Sequence, residues 1–383
     1  MLSKSEHILA QREKLGITRK EFSDALDFNK IQEKKLKLWE EGKEEIPDNV
    51  FDKIMAFPTE PKYVLPSKIK FTQIDLFAGI GGIRLGFQKA GGRTVFSSEW
   101  DKFAQKTYRI NYGETPAGDI TKINPSDIPD HDILLGGFPC QPFSQAGLKK
   151  GFEDARGTLF FNIAKILKEK RPKAFMLENV KQLKRHDNGN TIKVILNILN
   201  QLNYYVPDPQ VLNAYDFGVP QNRERLIIVG FNKDYLPKNF EQFKYPLGND
   251  HNSRVGNILE QNVPEKYTIS DKLYSGHLQR KIEHEKKGNG FGFHVFNSES
   301  NRTSTISARY YKDGSEALIE QEGKNPRMLT PRECARLQGF PEDFIIPVSN
   351  VQAYKQFGNS VCINVIEAVA KSMVQYLEKY KII

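Results

Sequence analysis

A lone cysteine stands between two prolines in the segment GGFPCQPFSQAG, residues 136–147. The chain has 383 residues and three cysteines, and no two of them form a CxxC pair. Pro139 and Pro142 fix the backbone φ and remove two amide donors, so neither a helix nor a central strand can continue here. We therefore expect a stiff loop that holds Cys140, which is a setting typical of a nucleophile rather than of a buried packing residue.

A carboxyl group and two guanidinium groups stand at the ends of other apolar runs. Glu178 lies near the end of KAFMLENV, and Arg223 and Arg225 open the run RERLIIVGF. A thiol and a carboxylic acid at one sheet edge suit conjugate addition to an electron-poor ring, in which sulfur attacks carbon and the acid protonates or hydrogen-bonds a ring nitrogen. The two arginines share a face of an extended chain, where they could bind a carbonyl oxygen, a phosphate or Glu178.

The segment DLFAGIGGIRLGF, which begins at Asp75, places glycines where a strand turns into a helix. Such a turn lets a ligand approach the backbone and the free amides of the helix start. The segment lacks the Gly-Lys-Ser/Thr of a phosphate loop, and Arg84 replaces the third glycine of a dinucleotide fingerprint. Glu99 could hold ribose hydroxyls and Trp100 could stack on adenine, so we predict a pocket for a nucleoside-type cofactor.

Short apolar runs alternate with helical segments from residue 70 onward, which predicts an α/β fold with a mostly parallel, doubly wound sheet. From about residue 232 the sequence becomes polar and rich in glycine and aromatic residues, which indicates a smaller inserted lobe. The predicted units are an all-α domain (1–57), a linker (58–69), a catalytic domain (70–231), an inserted lobe (232–326) and a return segment that completes the catalytic domain (327–383).

The formal net charge is +9 and the sequence pI is about 9.1, which suits an anionic partner such as nucleic acid. Residues 1–60 contain 11 Lys+Arg and 13 Asp+Glu, so the positive charge belongs to the rest of the chain. No run approaches ~20 apolar residues, and the first residues lack the apolar core of a secretion signal. The few unpaired cysteines favour reduced thiols in the cytosol and argue against a metal cluster.

Six motifs in order, DLFAGIGG, GGFPCQPFSQAG, ENV, QNRER, RMLTPRECARLQGFP and QFGNSV, resemble the DNA (cytosine-5)-methyltransferase family. The resemblance covers residues 70 to about 232 and 326 to 380. It implies a Rossmann-like methyltransferase fold, S-adenosylmethionine as the cofactor, no metal, and double-stranded DNA as the partner.

The resemblance also implies roles for individual residues. Cys140 would add to C6 of a cytosine flipped out of the duplex, Glu178 would contact N3 and the exocyclic amine, and Arg225 would contact the ring oxygen. Arg223 would bind a nearby phosphate or support Glu178. The positions that match the cofactor site of the family are Phe77, Gly79, Gly81, Glu99, Trp100, Asp119, Ile120, Pro139, Asn359 and Ser360.

The inserted lobe occupies the place of the target-recognition region of the family. Its stretches GNGFGFHVF and TISARYYKDGSEALI resemble bacterial methylases for CCWGG and CCNGG sites, which leaves the central base and the methylated cytosine open. Such an enzyme would act in the bacterial cytoplasm beside a cognate restriction endonuclease. The residues expected to contact DNA are Gln141, Ser144, Arg302, Arg309 and Lys312. Cys334 and Cys362 are expected to be small buried residues.

The N-terminal segment TRKEFSDAL…LKLWEEGKEEIP resembles a helix-turn-helix of the phage-repressor type, which implies binding to an operator and autoregulation. Against this, the segment is net negative and lacks the usual turn glycine at Asp27-Phe28. A role in interaction or dimerisation therefore stays open, and otherwise we expect a monomer.

Two alternatives to a DNA methylase remain at this point. One is an RNA cytosine-5 methylase that shares the PCQ motif. The other is a DNA-binding regulator that uses a catalytically inactive methylase body.

Overall fold

The structure is a computed structural model that describes residues 2–139, 159–288 and 292–383. The N-terminal residues form four helices, α1 (Lys4–Leu15), α2 (Arg19–Ala25), α3 (Lys30–Glu40) and α4 (Asp48–Met55). Thr18 and Glu21 form a capping box at the start of α2, because each side chain accepts from the backbone amide of the other residue. Asp27, between α2 and α3, adopts φ 52°, the left-handed conformation that glycine usually supplies and that aspartate tolerates. The turn therefore forms without a glycine.

The main sheet contains seven strands. Their bounds are β1 (Phe71–Leu76), β2 (Gly92–Ser98), β3 (Ile133–Gly137), β4 (Ala174–Val180), β5 (Tyr204–Tyr205), β6 (Gln210–Asn213) and β7 (Glu224–Asn232). Their order is β2-β1-β3-β4-β7-β5, and β6 also pairs with β7. Strands β1 to β4 are parallel, as predicted, whereas β7 runs antiparallel to β4. The start of β7 therefore lies at the edge where β4 ends.

Helices cover both faces of this sheet. They are α5 (Gly82–Lys89), α6 (Lys102–Tyr112), α7 (Leu159–Lys170) and α8 (Asn190–Gln201). Strand residues alternate between two apolar clusters: Leu134 and Phe175 pack in one, while Ile133 and Leu135 pack in the other. This alternation gives the doubly wound architecture that the sequence predicts.

The inserted lobe contains α9 (Asp271–Lys286) and a small sheet of β8 (Val295–Phe296), β9 (Leu318–Ile319) and β10 (Arg327–Met328). The lobe shares an apolar cluster with the catalytic domain, since Val255, Ile306 and Tyr310 pack with Phe357. Tyr310 is fully buried, and its hydroxyl donates to the carbonyl of Ala317 and accepts from the amide of Leu329. The lobe is therefore anchored in the catalytic core.

The return segment forms α10 (Pro331–Leu337), α11 (Asn350–Asn359) and α12 (Ile363–Lys379). Helix α12 lies close against α5, where a Cβ at Gly86 would come within 2.6 Å of Ile366. The absence of a side chain at Gly86 permits this approach. In the described ranges, no helix combines the length and the apolar character needed to cross a bilayer.

The N-terminal helices pack directly on the catalytic domain. Lys106 of α6 donates to both carboxylate oxygens of Glu21 at 2.8 Å. Ile110 of α6 and Ile345 of the return segment are buried in the same cluster as the N-terminal core. The amide of Tyr63, within the predicted linker, donates to the carbonyl of Asn111 at 3.0 Å. These contacts hold the N-terminal helices in place.

We predict that Ile345→Ala loosens the N-terminal helices. Deleting a fully buried isoleucine side chain costs about 2–5 kcal/mol, and Ile345 is 2% exposed. Denaturant unfolding, together with hydrogen exchange of α1 to α4, measures the effect. Ile31→Ala serves as the matched control, because Ile31 is 66% exposed. Equal stability of the two variants would contradict this packing.

Candidate active site

One large cleft, of about 1010 Å³, opens at the carboxyl ends of β1 to β4 and the start of β7. This edge is the usual ligand-binding edge of an open α/β sheet. The other wall is made by one face of α11 and by four residues of the lobe, Ala308, Arg309, Tyr311 and Lys312. The sheet contributes the chemically reactive side chains, and the lobe and return segment close the space over them.

Glu178 and Arg225 line the cleft together where β4 ends and β7 begins. Glu178 pairs with Ile227 across β4 and β7, so Arg225 lies diagonally beside it on the same face. The Nε atom of Arg225 lies 2.9 Å from Oε1 of Glu178. A Cβ at Gly137, on neighbouring β3, would stand 3.3 Å from the other carboxylate oxygen, so a glycine there leaves room for the carboxyl group.

Burial dominates the electrostatics of Glu178. It raises the pKa of this carboxyl group, and the charges of Arg225 and Arg223 oppose that rise. A carboxyl group with a raised pKa is protonated at higher pH and can then donate a hydrogen bond. The arrangement therefore places a carboxyl group with a raised pKa beside a guanidinium group, a pair that can hydrogen-bond a ring nitrogen and an adjacent carbonyl.

Arg223 does not lie where a phosphate could reach it. Its side chain is 1% exposed, and its two terminal nitrogens donate to the carbonyls of Ile306, Gly358 and Ser360. Burial lowers the pKa of this guanidinium group to about 9, and the charge of Arg225 acts in the same direction. The expected phosphate contact is therefore wrong, whereas electrostatic support of Glu178 agrees with the geometry. The sequence did not indicate that Arg223 joins the lobe to the return segment.

Glu99, at the carboxyl end of β2, also lines the cleft. Its two carboxylate oxygens accept from the amides of Gly79, at 2.8 Å, and Asp101, at 2.7 Å. Gly79 has φ 54°, and a Cβ added there would meet nothing within 4 Å, so the backbone faces open space. Burial raises the pKa of Glu99. The fixed carboxylate keeps lone pairs for ribose hydroxyls, and the adjacent Trp100 ring is 80% exposed for stacking.

The other predicted cofactor positions are brought to the same cleft, with one exception. The lining includes Phe77, Asp119, Ile120, Pro139, Asn359 and Ser360. Gly81 does not line the cleft. Its φ is 81°, and a Cβ there would lie 2.3 Å from the Tyr112 ring, so this glycine serves the turn that begins α5. Gly82 lines the cleft instead. These residues fit an adenine nucleoside that carries a polar tail.

Cys140, Gln141 and Ser144 lie outside the described residues. The chain that leads to them is held at the cleft, because the side-chain amide of Asn179 donates to the carbonyl of Phe138 at 2.8 Å. Pro139 itself lines the cleft. The described part of the chain therefore ends, before Cys140, beside the pair of Glu178 and Arg225.

The predicted DNA contacts of the lobe separate into two groups. Arg309 and Lys312 line the cleft, whereas Arg302 lies outside it with its guanidinium group 4.7 Å from the centre of the Tyr215 ring. Sequence reasoning missed Tyr311 and Lys355, which also line the cleft. The spacing i, i+3, i+4, i+7 along α11 was the available signal, and it is shared by Gln352, Lys355, Gln356 and Asn359.

In the described part of the chain, the remaining chemistry-bearing side chains do not gather into a second centre. Cys334 and Cys362 are buried, and burial raises the pKa of both thiols, so neither is a nucleophile by the usual criterion. Among the described residues, no group of three or more His, Cys, Asp or Glu side chains is placed to hold a metal ion.

Known proteins that resemble this chain in sequence, and known structures that resemble it in fold, are methyltransferases. A family model described as C-5 cytosine-specific DNA methylase matches residues 71–375. Type II methyltransferase M.SsoII of Shigella sonnei is 56% identical over 372 residues, which cover 97% of this chain and 98% of that protein. Type II methyltransferase M1.ScrFI of Lactococcus lactis subsp. cremoris is 57% identical over 376 residues, which cover 98% and 96%.

Solved structures support the fold alone, because their sequences are distant. A DNMT2 mutant of Spodoptera frugiperda superposes with TM-score 0.64 at 21% identity, covering 81% of this chain and 100% of that one. The Entamoeba histolytica methyltransferase EhMeth gives TM-score 0.63 at 22% identity, covering 82% and 99%. Because the family match extends over both ends of the cleft and most of the chain, the protein belongs to the C-5 cytosine-specific DNA methylases, which take their methyl group from S-adenosylmethionine.

Proposed function

We propose that this protein is the modification enzyme of a type II restriction-modification system and methylates C5 of a cytosine flipped out of duplex DNA. The observation that carries the proposal is the ion pair of the buried Glu178 with the half-buried Arg225, which lies where the chain leads to Cys140. The relatives named as type II methyltransferases match nearly the whole chain, which supports the restriction-modification context.

Cys140, Glu178 and Arg225 have separate roles in the proposed reaction. The Cys140 thiolate adds to C6 of the cytosine while Glu178 donates a proton toward N3 and Arg225 binds the ring oxygen, which makes C5 electron-rich. S-adenosylmethionine, when bound, supplies the electrophilic methyl group that C5 attacks. Transfer of the C5 proton to solvent, return of the N3 proton to Glu178 and departure of the thiolate from C6 then restore the aromatic ring. Flipping the base costs a few kcal/mol, which contacts to the extruded base offset.

The cofactor would be held by groups already fixed in the cleft. Glu99 would accept the ribose hydroxyls, the exposed face of Trp100 would stack on the adenine, and Asp119 would lie within reach of its polar edge. Asn359 and Ser360, at the end of α11, would face the methionine portion beside Gly82.

The proposed target is CCNGG or CCWGG, which rests on the resemblance of the lobe to methylases for such sites and on Arg309 and Lys312 in the cleft. The proposed setting is the cytoplasm of a bacterium that also carries a cognate restriction endonuclease, and the protein would act as a monomer. An RNA substrate is disfavoured by the description of the family as DNA methylases. A purely regulatory role is disfavoured by the intact pair of Glu178 and Arg225.

Transfer of labelled methyl to duplexes that contain CCNGG tests the function directly. Wild-type protein should label these duplexes, scrambling the CC or GG pairs should abolish labelling, and Cys140→Ala should be inactive because it lacks the nucleophile. Labelling of duplexes without CCNGG would retain the chemistry and refute the proposed target. Labelling of RNA but not DNA would refute the DNA substrate.

We predict that Glu178→Gln lowers kcat for methyl transfer by about 10²–10⁴-fold, the range expected for loss of a positioned acid. The amide keeps the size of the side chain but supplies no transferable proton. Glu224→Gln is the matched control, because Glu224 adjoins Arg225 in the chain but pairs with Lys181 and does not line the cleft. Similar rates for both variants would exclude Glu178 as the acid.

We propose a second activity, operator binding, for the N-terminal helices. Lys30 and Lys34 on α3 are exposed and have no carboxylate partner among the described side chains, and α3 follows the tight turn at Asp27. In a helix-turn-helix the second helix of the motif enters the major groove. The net negative charge of residues 1–60 weighs against extensive contact with phosphates.

The double variant Lys30→Ala/Lys34→Ala should weaken binding to a duplex from the promoter of the methylase gene that lacks CCNGG, while methyl transfer to CCNGG stays unchanged. Gel shift and labelling assays measure the two activities. Lys14→Ala, which removes an exposed lysine of α1 that pairs with Glu60, is the control. If the wild type does not shift the promoter duplex, the domain serves interaction or dimerisation instead.

A further inference from the structure

Among the described residues, and apart from Arg225, the charges that line the cleft are separated by sign. Its carboxylates, Glu99, Asp101, Asp119 and Glu178, all belong to the sheet edge and the segments that follow it. The facing wall carries three cations, Arg309 and Lys312 from the lobe and Lys355 from α11. No side chain in the described ranges forms an ion pair with any of these three, whereas Arg225 is paired with Glu178.

This separation matches two ligands of opposite charge. S-adenosylmethionine carries a sulfonium and an ammonium group against one carboxylate, so its net charge is positive and the acidic wall suits it. DNA carries one negative charge per phosphate, and neutralising phosphates supplies much of the affinity of its binding proteins. The cationic wall therefore suits a phosphodiester strand rather than the cofactor.

Lys355 is the member of this wall that belongs to the catalytic domain. It lies on the face of α11 that lines the cleft, and its side chain is half-buried. Its Nζ lies 5.2 Å from the centre of the Tyr311 ring of the lobe. Such a contact orients an ammonium group without neutralising it. Lys355 therefore presents a full charge at the seam between the lobe and the catalytic domain.

Other lysines of the return segment show the contrast. Lys371, on α12, lies 2.6 Å from a carboxylate oxygen of Glu367, and Lys89 of α5 lies 2.9 Å from the other oxygen. Those charges are paired on the outer surface and do not line the cleft. Lys355 is thus distinguished by both its place and its lack of a carboxylate partner in the described part of the chain.

We propose that Lys355 binds a backbone phosphate of the strand that carries the target cytosine. Lys355 would thereby extend the cationic surface of Arg309 and Lys312 from the lobe onto the catalytic domain. The target strand is favoured because Lys355 shares the cleft with Glu178 and Arg225, where the extruded base would lie. A phosphate contact positions the strand and reads no sequence. The inference rests on the proposed action on DNA.

The test measures the dissociation constant of a CCNGG duplex against KCl concentration for the wild type, Lys355→Met and Lys371→Met. Methionine keeps an unbranched stem of similar length and removes the charge. Loss of one phosphate contact should reduce the slope of log K against log[KCl] by about 0.9. It should weaken binding roughly tenfold, as expected for a lost charged hydrogen bond. A scrambled duplex should show the same change, and Lys371→Met should behave as the wild type.

Affinity for S-adenosylmethionine, measured by calorimetry on the same proteins, should be unchanged in Lys355→Met. Lys355→Arg should restore the salt slope, and thermal unfolding shows whether each variant is folded. The proposal would be overturned if Lys355→Met had the same slope as the wild type. It would also be overturned if the slope of Lys355→Arg stayed as low as that of Lys355→Met. Weaker cofactor binding with an unchanged slope would assign Lys355 to the cofactor instead.

The outcome separates this inference from the proposed function. If the wild type methylates DNA while Lys355→Met and Lys371→Met show equal slopes, only the role of Lys355 is refuted. If the wild type binds DNA with a Lys355-dependent slope but transfers no methyl group, the phosphate contact stands and the proposed function fails.

Discussion

The ion pair between Glu178 and Arg225 lies where one strand ends and its antiparallel neighbour begins. A carboxyl group buried this deeply is costly unless a partner compensates it. The reversal of direction between β4 and β7 provides that partner at the correct edge, because a parallel β7 would begin at the opposite end of the sheet. The site therefore requires the antiparallel strand, and Gly137 on β3 leaves room for the carboxyl group of Glu178.

Arg223 and Arg225 lie two residues apart in the chain, but their side chains have different surroundings. Arg225 remains at the cleft, whereas Arg223 is buried and bonded to carbonyls of the lobe and of the turn after α11. Three chain segments distant in sequence thus meet at one guanidinium group. Arg223 therefore joins the start of β7 to the lobe and to the end of α11.

Much of this architecture could be predicted from the sequence. The five long strands follow from their apolar runs, and the start of α2 follows from the capping box of Thr18 and Glu21. The short strands β5 and β6 were not predicted, because two to four residues carry no usable periodicity. The burial of Arg223 and the packing role of Gly81 depend on contacts with distant segments, which local pattern does not encode. Lys355 was missed because the helical period shows which residues share a face but not what that face meets.

The fully buried Tyr310 links the inserted lobe to the catalytic core, and its hydroxyl bridges Ala317 and Leu329 across the boundary of the lobe. The lobe is consequently not a detachable module, although its sequence is the part expected to vary with the target. Exchange of specificity between relatives, by recombination or by engineering, must carry the segment from Tyr310 to Leu329 as one unit. A junction inside that span would separate a tyrosine from the carbonyl and amide that satisfy it, and would open the core shared by both parts.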